Sequence, residues 1–234
     1  ADTATGELLM PEDIDRRLAA RQPYKQWLKE RAVHLEPRLD GEARGEPMPT
    51  ERLQVYQKMF QLTFEERDQV LRVLAESMQE AVGSMVDDTP LPVLSRHARS
   101  LYDYFRQQFA QVTNPPIDPL REQIVMSLET CLGREHNLFE ETPEHAKRLV
   151  ITSPLLSEEK YRRLLSLDDP DYAHGVIDLN YDPALGLRAA VEQVCDRAVA
   201  LLRGGKTVIV LSDRGIAQGR LPLHALLATG AVHH

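Results

Sequence analysis

A strand–helix–strand pattern near the end of the chain limits the possible folds more than any other feature of the sequence. Residues 175–180 (GVIDLN) and 207–212 (TVIVLS) each predict a strand, and residues 184–205 between them predict a long helix closed by two glycines. Strands joined through a helix pair in parallel. Residues 208–211 (VIVL) are apolar without alternation, which is typical of a strand covered on both faces. The pattern predicts an α/β fold with an open parallel βαβ sheet.

Neighbouring segments extend this prediction. Residues 148–152 (RLVIT) predict a strand, and residues 157–167 predict a helix that begins at Ser157. Residues 222–232 predict a further helix, in which the sequence stops. We therefore expect the sheet to be an incomplete piece of a larger domain.

The first half of the chain predicts helices. Residues 11–22 begin with a proline and an acidic first turn, and Pro23 starts a short helix with the apolar residues Tyr24, Trp27 and Leu28. Residues 36–49, rich in proline, glycine and charge, predict an exposed linker. Thr63 and Glu66 have the spacing of a capping box. The helix that follows carries an apolar stripe and ends near Gly83; the stripe consists of Val70, Leu71, Leu74, Met78, Ala81 and Val82.

Two more helices flank a proline-rich loop. The first covers residues 99–111 and its stripe consists of Leu101, Tyr104, Phe105, Phe109 and Val112. The second is capped by Asp118, stops at Gly133 and buries Ile124, Val125, Leu128 and Leu132, so that Cys131 falls in its last turns. The loop VTNPPID (112–118) is stiff because proline fixes φ and restricts the residue before it. It suits either a tight connector or a loop that holds a few polar groups at a boundary.

Composition excludes several classes of function. The 234 residues carry a net charge of −8, which argues against nucleic-acid binding because phosphates require a basic face. The sequence contains no apolar run of membrane-spanning length. The only two cysteines, Cys131 and Cys195, are far apart and fit a reducing compartment. We expect a soluble, cytoplasmic protein with no membrane partner.

Few side chains have a spacing that suggests chemistry. The turn SDRG (212–215) follows a predicted parallel strand, where Asp213 could bind a metal or a hydroxyl and Arg214 a carboxylate or phosphate. The alternative is a turn in which Ser212 and Asp213 form hydrogen bonds with local amides and Arg214 pairs with a neighbouring domain. Asp87 and Asp88 fit a helix cap and a salt bridge better than an acid–base pair. Four of the eight histidines, His97, His136, His145 and His174, lie in different segments and lack the spacing of metal ligands. Cys195 lies on an apolar helical stripe and fits a small core residue.

Longer phrases of the sequence point to a family. The run GSMVDDTPLPVLS (83–95), the helix RSLYDYFRQQFAQ (99–111) and the loop VTNPPID closely resemble the central domain of the glutamate synthase large subunit. PYKQWL (23–28), VIVLSDRG (208–215) and LPLHALLATGAVHH (221–234) match as well. The resemblance covers most of the chain, from about Gly6 onwards.

The resemblance implies a division of labour. In this family an amidotransferase domain releases ammonia from glutamine, and a later barrel domain binds FMN and an iron–sulfur cluster. It implies that residues 1–49 are a helical segment and linker from the amidotransferase side and residues 50–234 the central domain. Its partners would be those two domains of the same polypeptide and, through the parent, the small subunit. The chain itself would then hold no catalytic, cofactor or metal site.

The family also implies that the central domain lines an ammonia tunnel, at positions matching Met85, Ala110, Thr113, Asn114 and Ile117. Apolar walls with one or two hydrogen-bonding groups suit neutral ammonia. The sequence departs from the family at Val86, where glycine is expected, and at Pro92, where alanine is expected. Two alternatives remain at this point: a pure scaffold without a tunnel role, and an independent α/β enzyme that uses Asp213 and Arg214.

Overall fold

A computed structural model describes residues 1–35, 47–77, 81, 90, 92–105, 120 and 127–234. The chain divides into two compact units, of which the first comprises Ala1–Asp40 and Gln123–His234 and the second Gly41–Glu122. The predicted α/β class is confirmed, since the first unit combines helices with small sheets that contain parallel pairs. Most of the predicted linker, residues 36–46, lies outside the described residues.

Two surface helices begin the first unit. Helix α1 spans Pro11–Arg21 and helix α2 spans Tyr24–Arg31, close to the predicted bounds. The backbone N–H of Met10 donates to Asp13 Oδ2 at 3.3 Å at the start of α1. Neither helix contains a buried residue. The rings of Tyr24 and Trp27 meet edge to face at 5.7 Å, whereas Leu28 is exposed.

A three-stranded sheet follows, with β3 in the middle. Strand β1 (Val33–His34) pairs parallel to β3 (Leu149–Ile151), and β2 (Thr130–Leu132) pairs antiparallel on the other side. The helix Glu158–Leu165 of this unit, named α5 in chain order, begins as predicted, with Ser157 Oγ accepting from the Lys160 N–H at 3.2 Å. The core of this sheet consists of Leu35, Leu149, Ile151, Leu164 and Tyr172.

The predicted βαβ unit is confirmed. Strand β4 (His174–Asp178) pairs in parallel with β6 (Val208–Ser212), and helix α6 (Leu187–Arg203) connects them. The predicted C-terminal helix is present as α7 (Ala225–His233), which packs against α6 and β6. Strands β5 (Asn180–Tyr181) and β7 (Leu221–Pro222) form a separate, short antiparallel pair. The core of this part consists of Ile177, Leu179, Val194, Ala198, Leu223 and Ala228.

Strand β6 is less covered than its sequence predicted. All five of its residues are half-buried, and Val176, which belongs to the neighbouring strand β4, is 50% exposed. Gly175 and Ile177 face the helices, so the side chains that alternate with them lie on the opposite face. Helices α6 and α7 cover only one face of the sheet. The apolar run at residues 208–211 therefore predicted the strand correctly, but not the covering of both its faces.

The second unit is helical in its described residues. Helix α3 spans Thr50–Met59, and a π-helical stretch, Glu66–Leu71, leads into α4 (Arg72–Ser77). The predicted capping box is confirmed. The Thr63 N–H donates to Glu66 Oε2 at 2.9 Å, and the Glu66 N–H donates to Thr63 Oγ1 at 3.1 Å. Of the predicted apolar stripe, Val70, Leu71 and Leu74 are exposed and Ala81 is half-buried, whereas Met78 and Val82 lie outside the described residues.

The helix predicted to stop at Gly133 is wrong at its C-terminal end. Residues 130–132 form β2, in which Leu132 pairs with Leu149 and Cys131 with Val150, and Leu128 is exposed. Residues 121–126 of that predicted helix, with Ile124 and Val125, lie outside the described residues, and residues 127–129 are not helical. An apolar run of this length fits either period, and here the exposed hydrogen-bonding edge of β3 decided in favour of a strand.

The helix predicted over residues 99–111 is described only in part. A 3₁₀ turn spans Leu101–Tyr104, and Phe105 of the predicted stripe is exposed. Phe109 and Val112 lie outside the described residues, as do Asp87 and Asp88. Within the described residues, no helix is both long and apolar enough to cross a bilayer.

Packing between β4 and α6 gives the first prediction. A Cβ at Gly175 would lie 2.7 Å from both Cδ atoms of Leu201. We expect Gly175→Ala to lower the free energy of unfolding by about 1–3 kcal/mol, because the leucine must move within a packed core. Urea unfolding followed by circular dichroism measures this change. Gly230→Ala is the control: its Cβ meets nothing within 4 Å, and it should stabilise α7 by about 0.5–1 kcal/mol. Unchanged stability of Gly175→Ala would contradict the packing.

Candidate functional site

The five residues expected to line a tunnel are not among those that the structure describes. They are Met85, Ala110, Thr113, Asn114 and Ile117. Their assignment therefore stays a prediction. The other sequence candidate, the SDRG turn, is described completely and lies at the carboxyl end of β6.

A hydrogen-bonded cluster centred on Asn180 occupies the carboxyl end of β4. Asn180 is only 3% exposed. Its Nδ2 donates to Asp178 Oδ1 at 2.6 Å and to the Asp213 carbonyl at 3.3 Å. The two acceptors fix the orientation of the amide, since a flipped amide would place oxygen against oxygen. One buried side chain thus ties the end of β4 to the loop that follows β6.

The remaining acceptor of this side chain has no partner. Asn180 Oδ1 is buried and receives no hydrogen bond from the described residues. Gly215 approaches the cluster closely, because a Cβ there would lie 3.4 Å from both Asn180 Nδ2 and Asp178 Oδ1. Arg220 donates from Nε to the Asn180 carbonyl at 3.1 Å and makes a second bond to it from Nη2. Backbone and side chain of Asn180 are therefore both held.

A cleft of about 410 Å³ adjoins this cluster. Its charged lining comprises Asp178, Asp182, Arg197 and Arg220. Clefts at the carboxyl ends of parallel strands are the usual ligand sites of α/β sheets. The residues that line this cleft include no serine, cysteine, histidine or lysine, so its polar side chains are carboxylates, amides, guanidinium groups and the hydroxyl of Tyr181.

Arg214 of the SDRG turn is engaged within the chain. Its guanidinium lies 5.0 Å from the centre of the Tyr161 ring and 3.7 Å from Glu158 Oε1. The Arg214 N–H donates to Ser212 Oγ at 3.4 Å. This arrangement favours the interpretation of SDRG as a turn with local hydrogen bonds over a substrate-binding role for Arg214.

A second charged cluster surrounds Lys147. Its Nζ lies 2.9 Å from Asp169 Oδ2 and 2.8 Å from Asp171 Oδ2. The hydrogen bonds to Asp171 and Asp169 raise the pKa of Lys147 to about 12. The pKa of Asp169 is lowered, first by the backbone N–H of Asp171 and then by Lys147. The ring of Tyr172 packs below, and burial raises the pKa of its hydroxyl. The cluster fixes the turn between α5 and β4.

Histidine and cysteine side chains stand apart from these clusters. His136 and His145 meet edge to face with ring centres 5.4 Å apart. No three His, Cys, Asp or Glu side chains in the described part of the chain gather in a way that could hold a metal ion. Cys131 is exposed on β2, and Cys195 is half-buried on α6. Both thiols are free.

Sequence reasoning missed the two best-connected polar residues. The sequence predicted Asn180 only as the last residue of a strand. The pattern Asp-x-Asn at the end of an apolar strand could have indicated a polar site there. The pairing of Lys147 with Asp169 and Asp171 left no signal. Lys147 and the two aspartates come from two separate segments, whose proximity depends on the fold.

Replacing Asn180 tests the first cluster. Asn180→Asp would place a buried carboxylate against Asp178 and the Asp213 carbonyl. We expect a loss of about 3 kcal/mol in the free energy of unfolding at pH 7, because the donor becomes a charge that faces two acceptors. The loss should shrink as the pH falls, since protonation removes the buried charge. Urea unfolding at pH 7 and pH 5 measures both effects, with the exposed Gln218→Glu as the control. Equal losses in the two variants would refute the role of the amide.

The Lys147 cluster predicts a pH dependence. Asp169 has a lowered pKa, so its contribution is present above the ordinary carboxyl pKa and is lost as the pH falls. Lys147 has a raised pKa, so its contribution is present at neutral pH and is lost only as the pH rises towards 12. We expect Lys147→Met to destabilise the fold by about 1 kcal/mol at pH 7, after allowance for solvent screening, and by less at pH 3. Thermal unfolding across this range measures it. Lys25→Met, on α2, should leave stability unchanged at both values.

Comparison with known proteins completes the description. Residues 55–234 match the family model described as glutamate synthase central domain. The chain is 36% identical over 238 residues to the chloroplastic ferredoxin-dependent glutamate synthase of Oryza sativa subsp. japonica, a match that covers 99% of the chain and 14% of the relative. It is 34% identical over 232 residues to the glutamate synthase [NADPH] large chain of Bacillus subtilis, covering 99% and 15%.

A third relative is the glutamate synthase [NADH] of Schizosaccharomyces pombe, which is 33% identical over 249 residues and covers 100% of the chain and 12% of the relative. The chain thus spans only about a seventh of the length of the curated relatives that it matches. The match to the family model extends over more than three quarters of the chain. The chain belongs to the glutamate synthase central domain family.

Proposed function

We propose that this chain serves glutamate synthesis as the non-catalytic central domain of a glutamate synthase, joining the glutaminase domain to the synthase domain. The observation that carries this proposal is the alignment of the chain, almost end to end, with much longer glutamate synthases. In this scheme residues 1–49 come from the amidotransferase side and residues 50–234 form the central domain. FMN and the iron–sulfur cluster belong to the synthase domain of the parent, and the small subunit is a partner of the parent.

The second part of the proposal concerns ammonia. Ammonia released from glutamine must reach the synthase centre as the neutral molecule, because an acid on the way would protonate and trap it. Met85, Ala110 and Ile117 offer apolar walls. Thr113 and Asn114 offer the few hydrogen bonds that offset the loss of water. We propose that these five residues border the path.

Exposed apolar side chains in each unit support a joining role. In the second unit, Val93 is 90% and Leu94 95% exposed, and in the first unit Phe139 is 98% exposed. Large apolar side chains at such exposure mark surfaces that other protein covers. The engagement of Arg214 with Glu158 and Tyr161 argues in the same direction, since it weakens the alternative of an independent enzyme.

Variants of the proline-rich loop separate a tunnel from a scaffold. In the intact glutamate synthase, Thr113→Val and Asn114→Leu should uncouple the two half-reactions, because ammonia loses its hydrogen bonds along the path. We expect more glutamine hydrolysed than glutamine-derived nitrogen incorporated into glutamate, and free ammonia in the medium. Parallel assays of glutamine consumption, glutamate formation and ammonia release measure this.

Thr50→Val, at the exposed start of α3, is the matched control and should leave the coupling intact. Tight coupling in both loop variants would reduce the domain to a scaffold. Failure of the variants to assemble with FMN and the iron–sulfur cluster would be visible in the absorption spectrum, which separates misfolding from leakage.

A further inference from the structure

The N-terminal segment, residues 1–35, contributes a strand to a sheet that otherwise belongs to the family domain. The match to the family model begins at residue 55, whereas β1 lies at Val33–His34. The Val33 N–H donates to the Arg148 carbonyl at 2.9 Å, and the Leu35 N–H donates to the Val150 carbonyl at 3.0 Å. Without β1, strand β3 would become an edge strand with unpaired backbone groups.

One side chain anchors the segment. Leu35, at 3% exposure, is the only buried residue among residues 1–35. It packs in the core with Leu149, Ile151, Leu164 and Tyr172. By contrast, the β4–β6 part of the unit buries six hydrophobic residues in a cluster of its own. A segment held by one buried leucine and a two-residue strand opens at lower cost than the βαβ body.

Helices α1 and α2 contact Glu141 and Glu144 through polar side chains that are accessible to water. Arg21 Nε lies 3.0 Å from Glu141 Oε2, and Arg31 Nη1 lies 3.2 Å from Glu144 Oε1. The Tyr24 hydroxyl donates to Glu141 Oε2 at 2.8 Å. The side chains of Arg21 and Arg31 are 62% and 40% exposed, so water competes for these bonds and salt screens the charges.

The apolar contact beside these ion pairs is incomplete. A cleft of about 290 Å³ lies between α2 and residues 138–146, with Tyr24, Trp27 and Leu28 on one wall and Leu138 and Ala146 on the other. Leu28 and Leu138 stay exposed although they face the same cleft. His145, also in its lining, has a buried Nε2 that no described residue bonds. Empty space between two apolar walls forfeits the close packing that fixes a protein interior.

We propose that residues 1–35 form a reversible strap, which docks on the β3 edge through β1 and Leu35 and is released as a unit while the β4–α6–β6 body stays folded. The receiving surface fits an extended strand that inserts a leucine behind the sheet. The strap rests on the proposed joining function in one way: residues 1–35 are taken to connect to the amidotransferase domain. Docking of the strap would then determine the strength of the attachment between the amidotransferase domain and the central domain.

Native-state hydrogen exchange on the 234-residue chain tests the strap. The Val33 and Leu35 amides should exchange through an opening at least about tenfold more populated than the one that exposes the β4–β6 amides, with a weaker dependence on denaturant. Leu35→Ala should speed exchange at Val33 about thirtyfold or more and leave the β4–β6 amides unchanged. Leu8→Ala, an exposed leucine of the same segment, is the matched control and should change neither.

Charge reversal gives a second test that does not disturb the core. Glu144→Arg should raise exchange at Val33 roughly two- to fivefold, and the swap Arg31→Glu with Glu144→Arg should restore it. The proposal would be overturned if the Val33 and Leu35 amides exchanged through the same opening as the β4–β6 amides, with the same population and the same dependence on denaturant. These measurements need no ammonia or glutamine, so a strap could fail while the tunnel assay succeeds, and the reverse.

Discussion

The parallel pairing of β4 with β6 is the interaction on which most of the described fold depends. Parallel neighbours require a crossover, and α6 supplies it while burying Ala190, Val194 and Ala198. The missing side chain at Gly175 gives Leu201 of α6 room against the strand. Because both strands run in the same direction, their carboxyl ends meet, and Asn180 can bridge the end of one to the loop after the other. The polar cluster is a consequence of the pairing.

The three-stranded sheet is assembled differently, from pieces that are distant in sequence. Its central strand, β3, takes β1 from the N-terminal segment and β2 from the stretch just before it. Long-range pairing of such short strands gains little from the backbone alone, so the buried side chains Leu35, Leu149 and Tyr172 must carry it. The first unit therefore combines a body stabilised by local βαβ contacts with a sheet that depends on a distant partner.

Two charged side chains of the described residues are engaged within the chain. Lys147 and Arg214 engage carboxylates and aromatic rings of their own chain. Family membership supplies the setting for this chain. Leu94 and Phe139, which belong to different units, are both almost fully exposed.

The sequence alone determined those elements whose start, cap or apolar pattern lies within a few consecutive residues. Proline and acidic residues started α1, Ser157 capped α5, the Thr63–Glu66 box formed as predicted, and the apolar run at 208–211 became a strand. Long phrases of sequence also identified the family. Tertiary structure decided whatever needed a distant partner. Residues 130–132 became a strand because β3 offered free backbone groups, Leu35 found its core, and Asn180 met Asp213 across the sheet. Periodicity cannot fix such choices, because the free energy that selects them comes from atoms elsewhere in the chain.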